Sequence, residues 1–471
     1  MSLARRYDVA IVGAGMAGLT LARHLQLKTQ RRVLLLERRE QSPGARQKVG
    51  ESTVQLGGYY LGKVLELEEV LLCEHLMKYN LRFNWLTETC SNRTLADYGQ
   101  LFSRPLSNIA GYQLDRNRFE EKVREQLLGA ERISLAAPVE NVTFELGGEG
   151  RSSHRLRFQL RGEECETHCD WLVDASGRNR FLARKLGLKR SSPLRHGAAY
   201  LWVDGLIDIE RLGGGDSDSV RLDRMRRVLG HLPVWLATNH FMGDGFWLWV
   251  IPLKGKTSVG VVYDRERVDG SQFSTPQKLT RFIAREFPLF APELARRRVL
   301  DSGGFRDFAY DCSLALSPER WALTGEAARF SDPLYSPATD LLALHNTLIV
   351  AAIEASGDRL GSLCGRYEDL LRALYEAYLP SYGDGYETLC DQEAFTLRYL
   401  WEIVIYFAFY VFPFINDLFT DPRMIAAHLA RFSRLGTVNR QLQAFLRDYV
   451  EWKRRKGLVR SAPLRVDLSE L

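Results

Sequence analysis

The chain has 471 residues, of which 45% are hydrophobic and 26% charged, a composition typical of an ordered globular protein with room for two or three domains. Its net charge of +6, from 64 basic and 58 acidic residues, is mild and is not gathered into a stripe, which argues against a nucleic-acid partner. The seven cysteines are odd in number and scattered, so we expect reduced thiols and no metal. A first strand beginning at about Tyr7 leaves no room for a cleavable leader, and this predicts a cytoplasmic protein.

The N-terminal segment has the pattern of a βαβ unit. Residues 7–12 form an apolar strand run, residues 13–18 a glycine-rich turn, and the following residues an amphipathic helix. A second apolar strand, residues 33–36, ends at Glu37, 24 residues after Gly13. This context predicts a dinucleotide-binding fold.

Each glycine of this turn, and Glu37 after the second strand, has a physical role. Gly13 permits the tight turn, Gly15 lets the backbone approach a pyrophosphate, and Gly18 lets the helix lie close to the sheet. The helix N-terminus attracts the anion, and Glu37 accepts hydrogen bonds from ribose hydroxyls. An acid at position 37 also repels a 2′-phosphate, which disfavours NADP.

Two later segments favour FAD. In residues 171–178 a buried strand carrying Asp174 runs into a small-residue turn at Gly177, similar to the second flavin-contacting turn of the large hydroxylase-like flavoprotein class. Residues 320–328 resemble that class's Gly-Asp motif, which opens a helix beneath the ribityl chain, here as Gly325 and Glu326. The sequence holds no second glycine-rich βαβ unit, so reduced flavin is expected from a separate reductase or transient NADH contact.

The middle and C-terminal parts have different patterns. Alternating runs between residues 195 and 305 predict an antiparallel sheet, with a loop at residues 213–216. Residues 365–456 are helical in pattern and end in the basic run 453–456, which is either a solvated helix face or a docking site for an acidic carrier protein.

Residues 401–419 are very apolar, but Pro413 and two acids interrupt them. They fall short of the roughly 20 clean residues that a spanning helix needs. A buried helix is expected, with a lining for a substrate pocket or a membrane-contacting surface as alternatives, and membrane contact is not favoured.

Within the predicted sheet, Trp247 and Trp249 share one face of a strand that ends at Ile251-Pro252. This Trp-X-Trp-X-Ile-Pro pattern, together with the dinucleotide fingerprint, resembles the flavin-dependent halogenases, most closely those of phenols and pyrroles. The loop containing Gly50, Glu51 and Ser52 is similar to a family loop near the flavin ring.

The resemblance also implies a catalytic lysine. Lys78 lies 27 residues after Glu51 and just before a Phe-Asn-Trp run at residues 83–85, as the family's lysine does. In that family, reduced FAD and oxygen oxidise halide, and the lysine passes the resulting electrophile to an electron-rich ring. An ammonium donates a strong hydrogen bond, and burial lowers its pKa. A solvent-facing lysine at a helix end is the alternative interpretation.

The expected halide segment departs from the family pattern. Residues Ser336, Pro337 and Ala338 correspond to backbone N–H groups that hold halide beside the flavin, but proline has no N–H. Tyr335 stands where tryptophan halogenases have a glutamate, which points to phenol or pyrrole substrates.

The sequence therefore predicts an α/β protein with a Rossmann-like FAD-binding domain. This domain spans residues 1–194 and is completed by about 306–355; a mixed antiparallel-sheet substrate domain spans 195–305, and a helical region spans 356–471. The predicted function is halogenation of phenolic or pyrrolic rings in secondary metabolism, on free or carrier-tethered substrates. A monooxygenase or oxidase with a degraded halide site, and a non-catalytic flavoprotein scaffold, are the alternatives.

Overall fold

The computed structural model describes residues 3–41, 46–147, 153–213, 233–355, 359–458 and 464–470. Its strands are β1 Arg6–Val12, β2 Val33–Leu36, β3 Leu76–Lys78, β4 Leu81–Trp85, β5 Gly99–Phe102, β6 Gly111–Gln113, β7 Ile133–Ala136, β8 Val139–Glu145, β9 His154–Leu160, β10 Glu163–Asp174, β11 Lys189–Arg190, β12 His196–Asp204, β13 Thr238–Gly243, β14 Phe246–Leu253, β15 Lys256–Asp264, β16 Val299–Phe305, β17 Asp311–Cys312, β18 Leu316–Ser317, β19 Trp321–Leu323 and β20 Arg465–Asp467. Its α-helices are α1 Met16–Lys28, α2 Gln55–Tyr59, α3 Glu68–Glu74, α4 Arg116–Leu128, α5 Phe181–Lys185, α6 Pro276–Glu286, α7 Ala291–Arg296, α8 Ala338–Glu354, α9 Arg359–Tyr382, α10 Gln392–Ile405, α11 Phe412–Ile415 and α12 Ile425–Arg455. Of the predicted loop at 213–216, residues 214–216 lie outside the described ranges.

The first large sheet has a parallel centre. Strand β1 lies between β2 and β10, and β10 also pairs in parallel with β19. The register sets Val12 opposite both Leu36 and Asp174, and Asp174 opposite Leu323. All four strands therefore end at one edge of the sheet, where ligands bind in folds of this kind. The predicted Rossmann-like architecture is confirmed.

The glycine turn after β1 is packed tightly. Gly13 has φ of +109°, and a Cβ there would lie 2.5 Å from the Ala175 carbonyl oxygen. A Cβ at Gly18 would lie 1.9 Å from the Gly13 carbonyl oxygen. These two positions exclude any side chain, and α1 consequently lies against the end of β1.

The second large sheet extends beyond residues 195–305. Its strand order is β16-β12-β15-β14-β13-β4-β5-β20, so β4 and β5 enter from the N-terminal part and β20 from the C-terminal part. Strand β4 pairs in parallel with β13, while β12 to β16 pair antiparallel as expected. All five residues of β4 are buried, so other parts of the protein cover both faces of this strand.

The two faces of β14 pack against different layers. Leu248 and Val250 join an apolar cluster with α6 and α7, whereas Trp247 and Trp249 join a cluster that includes residues of α9 and α10. This alternation follows from the two-residue period of a strand. It places the C-terminal helices over the tryptophan face.

The apolar segment 401–419 runs through the end of α10, a π-helical turn at Tyr406–Val411, and α11. Within the described residues, Gln392–Ile415 is the one helical stretch whose length and apolarity would suffice to cross a membrane, and a third of it is buried in the protein. Its inner side lines a cavity, as shown below, so the pocket-lining alternative agrees with the geometry.

Two local expectations need correction. The Gly325-Glu326 motif does not open an α-helix: it forms a single 3₁₀ turn, Gly325–Ala327, and the helix begins only at Ala338, after a segment that contains two prolines. The basic run at the end of α12 is not simply a solvated face. Lys453 is buried and pairs with Asp391 at 2.6 Å, and Arg454 pairs with Asp244 at 2.7 Å.

Candidate active site

A groove of about 1090 Å³ follows the edge where the parallel strands end. Predicted cofactor residues that line it are Gly13, Gly15, Glu37, Gly50, Gly177, Gly325 and Glu326. Segments from four parts of the sequence thus meet in one groove, as the strand register requires.

Gly15 marks the place where this groove accepts a ligand. In contrast to Gly13 and Gly18, a Cβ built on Gly15 meets nothing within 4 Å. Gly15 is also the N-cap of α1, and no side chain caps that helix or places an acid in its first turn. The open space and the helix N-terminus together fit the pyrophosphate of FAD.

Glu37 is held in a fixed orientation at the groove. One carboxylate oxygen accepts the Ala14 N–H at 3.0 Å, and the other accepts the Arg39 N–H at 3.0 Å. Each oxygen keeps a second lone pair, which is what recognition of a ribose hydroxyl requires.

Four predicted cofactor residues lie behind the groove wall instead of lining it: Gly18, Glu51, Ser52 and Asp174. Asp174 accepts the N–H groups of Ser176 at 2.9 Å and Leu182 at 2.7 Å, which orders the turn that carries Gly177. Burial raises the pKa of Asp174 and of Glu51. These residues shape the groove without facing it.

Trp247 and Trp249 also lie behind the cavity walls. In the described part of the chain, neither is among the residues that line the flavin groove or the pocket described below. Trp249 Nε1 donates to Ser258 at 3.1 Å, and Ser258 in turn hydrogen-bonds Glu51, which also accepts from Trp202 Nε1 at 2.8 Å. Trp249 therefore supports the loop near the flavin groove.

Trp247 supports a different network. Its Nε1 donates to Tyr386 Oη at 2.9 Å, and Tyr386 donates to the buried Asp332 at 2.7 Å. His196 Nδ1 lies 2.7 Å from the same carboxylate oxygen, and its ring stacks on Tyr386. Asp332 also accepts the Leu334 N–H at 2.8 Å, so the network fixes the start of the predicted halide segment.

Lys78 is buried at the end of β3, where a solvent-facing lysine was the alternative interpretation. Its Nζ donates to Ser52 Oγ at 2.8 Å and to the Thr53 carbonyl at 3.0 Å, and lies 3.5 Å from Ser336 Oγ. Burial lowers the pKa of Lys78 to about 7, and the charge of Asp340 opposes that shift. Three motifs that sequence analysis treated separately thus converge on one ammonium group.

Lys78 faces a second, more enclosed pocket of about 350 Å³. Its wall includes the aromatic side chains Tyr335, Tyr375, Tyr378, Tyr382, Tyr399, Tyr406, Phe407 and Tyr410. Two buried acids, Asp340 and Glu402, complete the charged part of the wall with Lys78. A flat aromatic ring fits such a lining better than a polar or highly charged ligand.

The predicted halide segment separates the groove from the pocket. Pro337 lines the pocket, whereas Ala338, the first residue of α8, lines the flavin groove. The Ser336 N–H donates to the Pro333 carbonyl at 2.8 Å, and both Tyr335 and Ser336 have positive φ. Of the three predicted halide residues, Ala338 is the one at a helix N-terminus, where N–H groups lack intrahelical acceptors.

Sequence reasoning missed two groups of functional residues. Arginines that line the groove, including Arg46, Arg116 and Arg178, have no motif of their own, although Arg178 follows the predicted turn at Gly177. Asp340 and the pocket tyrosines of α9 and α10 were missed because their spacing is that of ordinary core helices.

Comparisons with known proteins agree with this geometry. Residues 8–148 match the family described as FAD dependent oxidoreductase. The chain is 28% identical over 373 residues to the flavin-dependent halogenase chlA of Dictyostelium discoideum, an alignment that covers 73% of this chain and 59% of that protein. It is 24% identical over 388 residues to a 1H-pyrrole-2-carbonyl-[peptidyl-carrier protein] chlorinase of Pseudomonas fluorescens, covering 78% and 80%.

Among solved structures, the fold resembles halogenase PltM in complex with phloroglucinol and FAD, with a TM-score of 0.66, 15% identity, and 96% and 97% of the two chains covered. The predicted resemblance to flavin-dependent halogenases is confirmed, as is FAD as the cofactor. The chain therefore resembles FAD-dependent oxidoreductases over residues 8–148 and has a halogenase-like fold.

Proposed function

We propose that this enzyme halogenates electron-rich aromatic rings of the phenol or pyrrole class. The observation that carries the proposal is the position of Lys78, which is buried in the wall of the aromatic pocket and contacts Ser52 and Ser336, each two residues from a groove residue, Gly50 and Ala338. A lysine on the surface would have no such relation to either cavity.

Bound FAD, when reduced, supplies the oxidation of halide by oxygen. The residues of the chain bind halide and position the electrophile. The α8 N-terminus offers N–H groups to halide, and Lys78 donates a hydrogen bond to hypohalous acid. The tyrosine wall stacks against the ring and holds it in the pocket that Lys78 lines.

Substrate size and relatives support the same class. A pocket of about 350 Å³ suits one small aromatic ring. The name of the pseudomonad relative specifies a pyrrole on a carrier protein, and the PltM structure holds the phenol phloroglucinol. A free or carrier-tethered aromatic substrate, halide and a separate flavin reductase belong to this proposal.

One observation favours a second function, a monooxygenase or oxidase. Pro337 has no N–H, and the Ser336 N–H is already bonded to Pro333, so two of the three expected halide donors are lost. An enzyme that binds halide weakly would release peroxide or hydroxylate its substrate. A non-catalytic flavoprotein is the third reading.

The test supplies the purified protein with reduced FAD, oxygen and either chloride or bromide, in the presence of phloroglucinol or pyrrole-2-carboxylate. Mass spectrometry should detect halogenated rings, with bromide used more readily than chloride. Hydroxylated product or peroxide alone at saturating halide would support the monooxygenase or oxidase, and no oxygen consumption above free flavin would support the scaffold.

A further inference from the structure

Lys78 and Asp340 both line the aromatic pocket, and both hydrogen-bond the main chain around the start of α2. Lys78 Nζ donates to the carbonyl of Thr53, two residues before α2. Asp340 Oδ1 accepts the N–H of Gly57, inside that helix, at 2.7 Å. The start of α2 therefore fixes the ammonium and the carboxylate relative to each other.

Tyr406 completes the arrangement around Asp340. Its Oη accepts the Leu56 N–H at 3.0 Å and hydrogen-bonds the Asp340 carboxylate. Asp340 is 5% exposed and Lys78 is 4% exposed. The charge of Lys78 lowers the pKa of Asp340, and the charge of Asp340 raises the pKa of Lys78. Two buried groups of opposite charge that line one cavity and shift each other's pKa are suited to exchange protons with a ligand bound there.

From this arrangement we infer that Asp340 is the base that removes the ring proton during halogenation, and that it works with Lys78 as one acid–base pair. The inference rests on the proposed function. Position 335, where tryptophan halogenases have a glutamate, holds tyrosine in this chain, and Asp340 brings a carboxylate to the pocket from the first turn of α8.

The step balances without any further reagent. The ring carbon attacks the halogen of hypohalous acid, so a carbon–halogen bond forms and the oxygen–halogen bond breaks. The halogen is reduced by two electrons and the ring is oxidised by two. The Lys78 ammonium protonates the departing hydroxide to water, and the Asp340 carboxylate takes the proton from the ring carbon. Asp340 then releases its proton and Lys78 takes one up, which restores both groups.

The neighbouring groups leave this pair free to titrate near neutral pH. Burial raises the pKa of Asp340 to about 7 and lowers that of Lys78 to about 7. His240, which also faces Lys78, has its pKa lowered by burial to about 3, and burial keeps the pKa of Tyr406 well above its usual value. Both neighbours are therefore uncharged in the neutral range.

The pH dependence follows with a definite sign. Product formation needs ammonium at Lys78, so it declines as the pH rises above about 7. It also needs carboxylate at Asp340, so it declines as the pH falls below about 7. The profile is a bell, and Asp340→Asn removes the acidic limb.

The decisive experiment compares Asp340→Asn with Glu402→Gln, which removes the other buried acid of the pocket. Phenol and ring-deuterated phenol are brominated by wild type and both variants with reduced FAD, oxygen and bromide. Asp340→Asn should lower kcat for bromination by about 100-fold. It should also make the deuterated ring react more slowly than the normal ring, because proton loss becomes rate-limiting. Glu402→Gln should leave the isotope ratio of the wild type, whatever its effect on KM.

A second measurement needs no turnover. ¹³C NMR titration of lysine-labelled protein, with Lys78 assigned by its absence in Lys78→Met, should show a lower Lys78 pKa in Asp340→Asn than in wild type, because the carboxylate stabilises the ammonium. An unchanged Lys78 pKa, or wild-type bromination without an isotope effect in Asp340→Asn, would overturn the inference. Failure of wild type to brominate any ring would instead count against the proposed function, while the titration still decides whether the pair exists.

Discussion

The flavin groove and the aromatic pocket lie side by side but are built in different ways. The groove takes its shape from main chain at the ends of parallel strands, with glycines where the chain turns or another segment comes close. The pocket takes its shape from side chains of the consecutive helices α8, α9 and α10, which meet Lys78 from the distant strand β3. Main-chain turns of the groove can be recognised from short sequence motifs, whereas the convergence of side chains in the pocket can be seen only in the folded structure.

The largest effect is expected for Gly15→Val, which tests the flavin groove. A Cβ at position 15 meets no protein atom within 4 Å, and a valine side chain would occupy the space that a pyrophosphate needs, so the variant should fold and lose FAD. Flavin absorbance after gel filtration measures this, and circular dichroism checks the fold.

Two controls sharpen the result. Gly361→Val, at another open glycine on the surface of α9, should keep stoichiometric FAD. Gly18→Val should fail to fold, because its Cβ would overlap the Gly13 carbonyl. Full flavin content in Gly15→Val would show that the pyrophosphate of FAD does not bind at Gly15.

The pocket half is tested by Lys78→Met, which keeps the length of the side chain but removes its charge. Halogenated product should fall by at least about 100-fold, because the electrophile loses its hydrogen-bond donor. Flavin reoxidation and peroxide release, followed in the same samples, should stay near wild type. Lys63→Met, at an exposed lysine that follows α2 in the chain, serves as control. Normal product from Lys78→Met would contradict the proposed role of Lys78.

The boundary between the two halves is tested by Pro337→Ser. Pro337 has φ of −79° and ψ of −3°, angles that serine adopts readily, so the variant adds an N–H beside the start of α8. One added charge-assisted bond of about 1 kcal/mol would lower KM for chloride roughly five-fold, with a smaller gain for bromide. Initial rates at varied halide measure this, and a chloride KM equal to that of wild type would place the halide elsewhere.

The smallest effect is expected for Trp247→Phe, which tests the supporting layer. Phenylalanine cannot donate to Tyr386, and the loss of a buried hydrogen bond costs about 1–3 kcal/mol of stability. The thermal midpoint should drop by a few degrees, while halogenation per bound FAD changes little, since Trp247 lines neither cavity. Trp452→Phe, at a tryptophan that is 43% exposed, is the control. A large loss of turnover at full flavin content would show that Trp247 takes part in the chemistry itself.

Sequence analysis placed one part of the groove correctly in the fold, because the causes of that part are local. Gly13, Gly15 and Glu37 belong to a single βαβ unit, where spacing alone determines which end of the sheet they reach. The position of Lys78 was predicted only through resemblance to a family, since nothing near it announces burial. The sheet boundary was less accurate, because β4 joins β13 across more than 150 residues of chain.

Asp340 illustrates what sequence reasoning misses. An acid in the first turn of a helix is common, since it complements the helix dipole, and such residues are normally exposed. Here the side chain is buried because Gly57, 283 residues away in sequence, presents its N–H to it. Tyr382 is similar: it has the spacing of an ordinary core residue of α9, and the cavity beside it depends on how α10 packs.

The helices that supply most of the tyrosine wall have little to do with the flavin. Tyr378, Tyr382, Tyr399, Ile403 and Tyr410 line the pocket and are absent from the groove lining, and α9 and α10 follow the cofactor-binding segments in the chain. Variation at these five positions can reshape the pocket while the cofactor site stays intact. Directed evolution toward new rings can therefore begin with a combinatorial library on α9, α10 and the π-helical turn, screened in flavin-loaded protein.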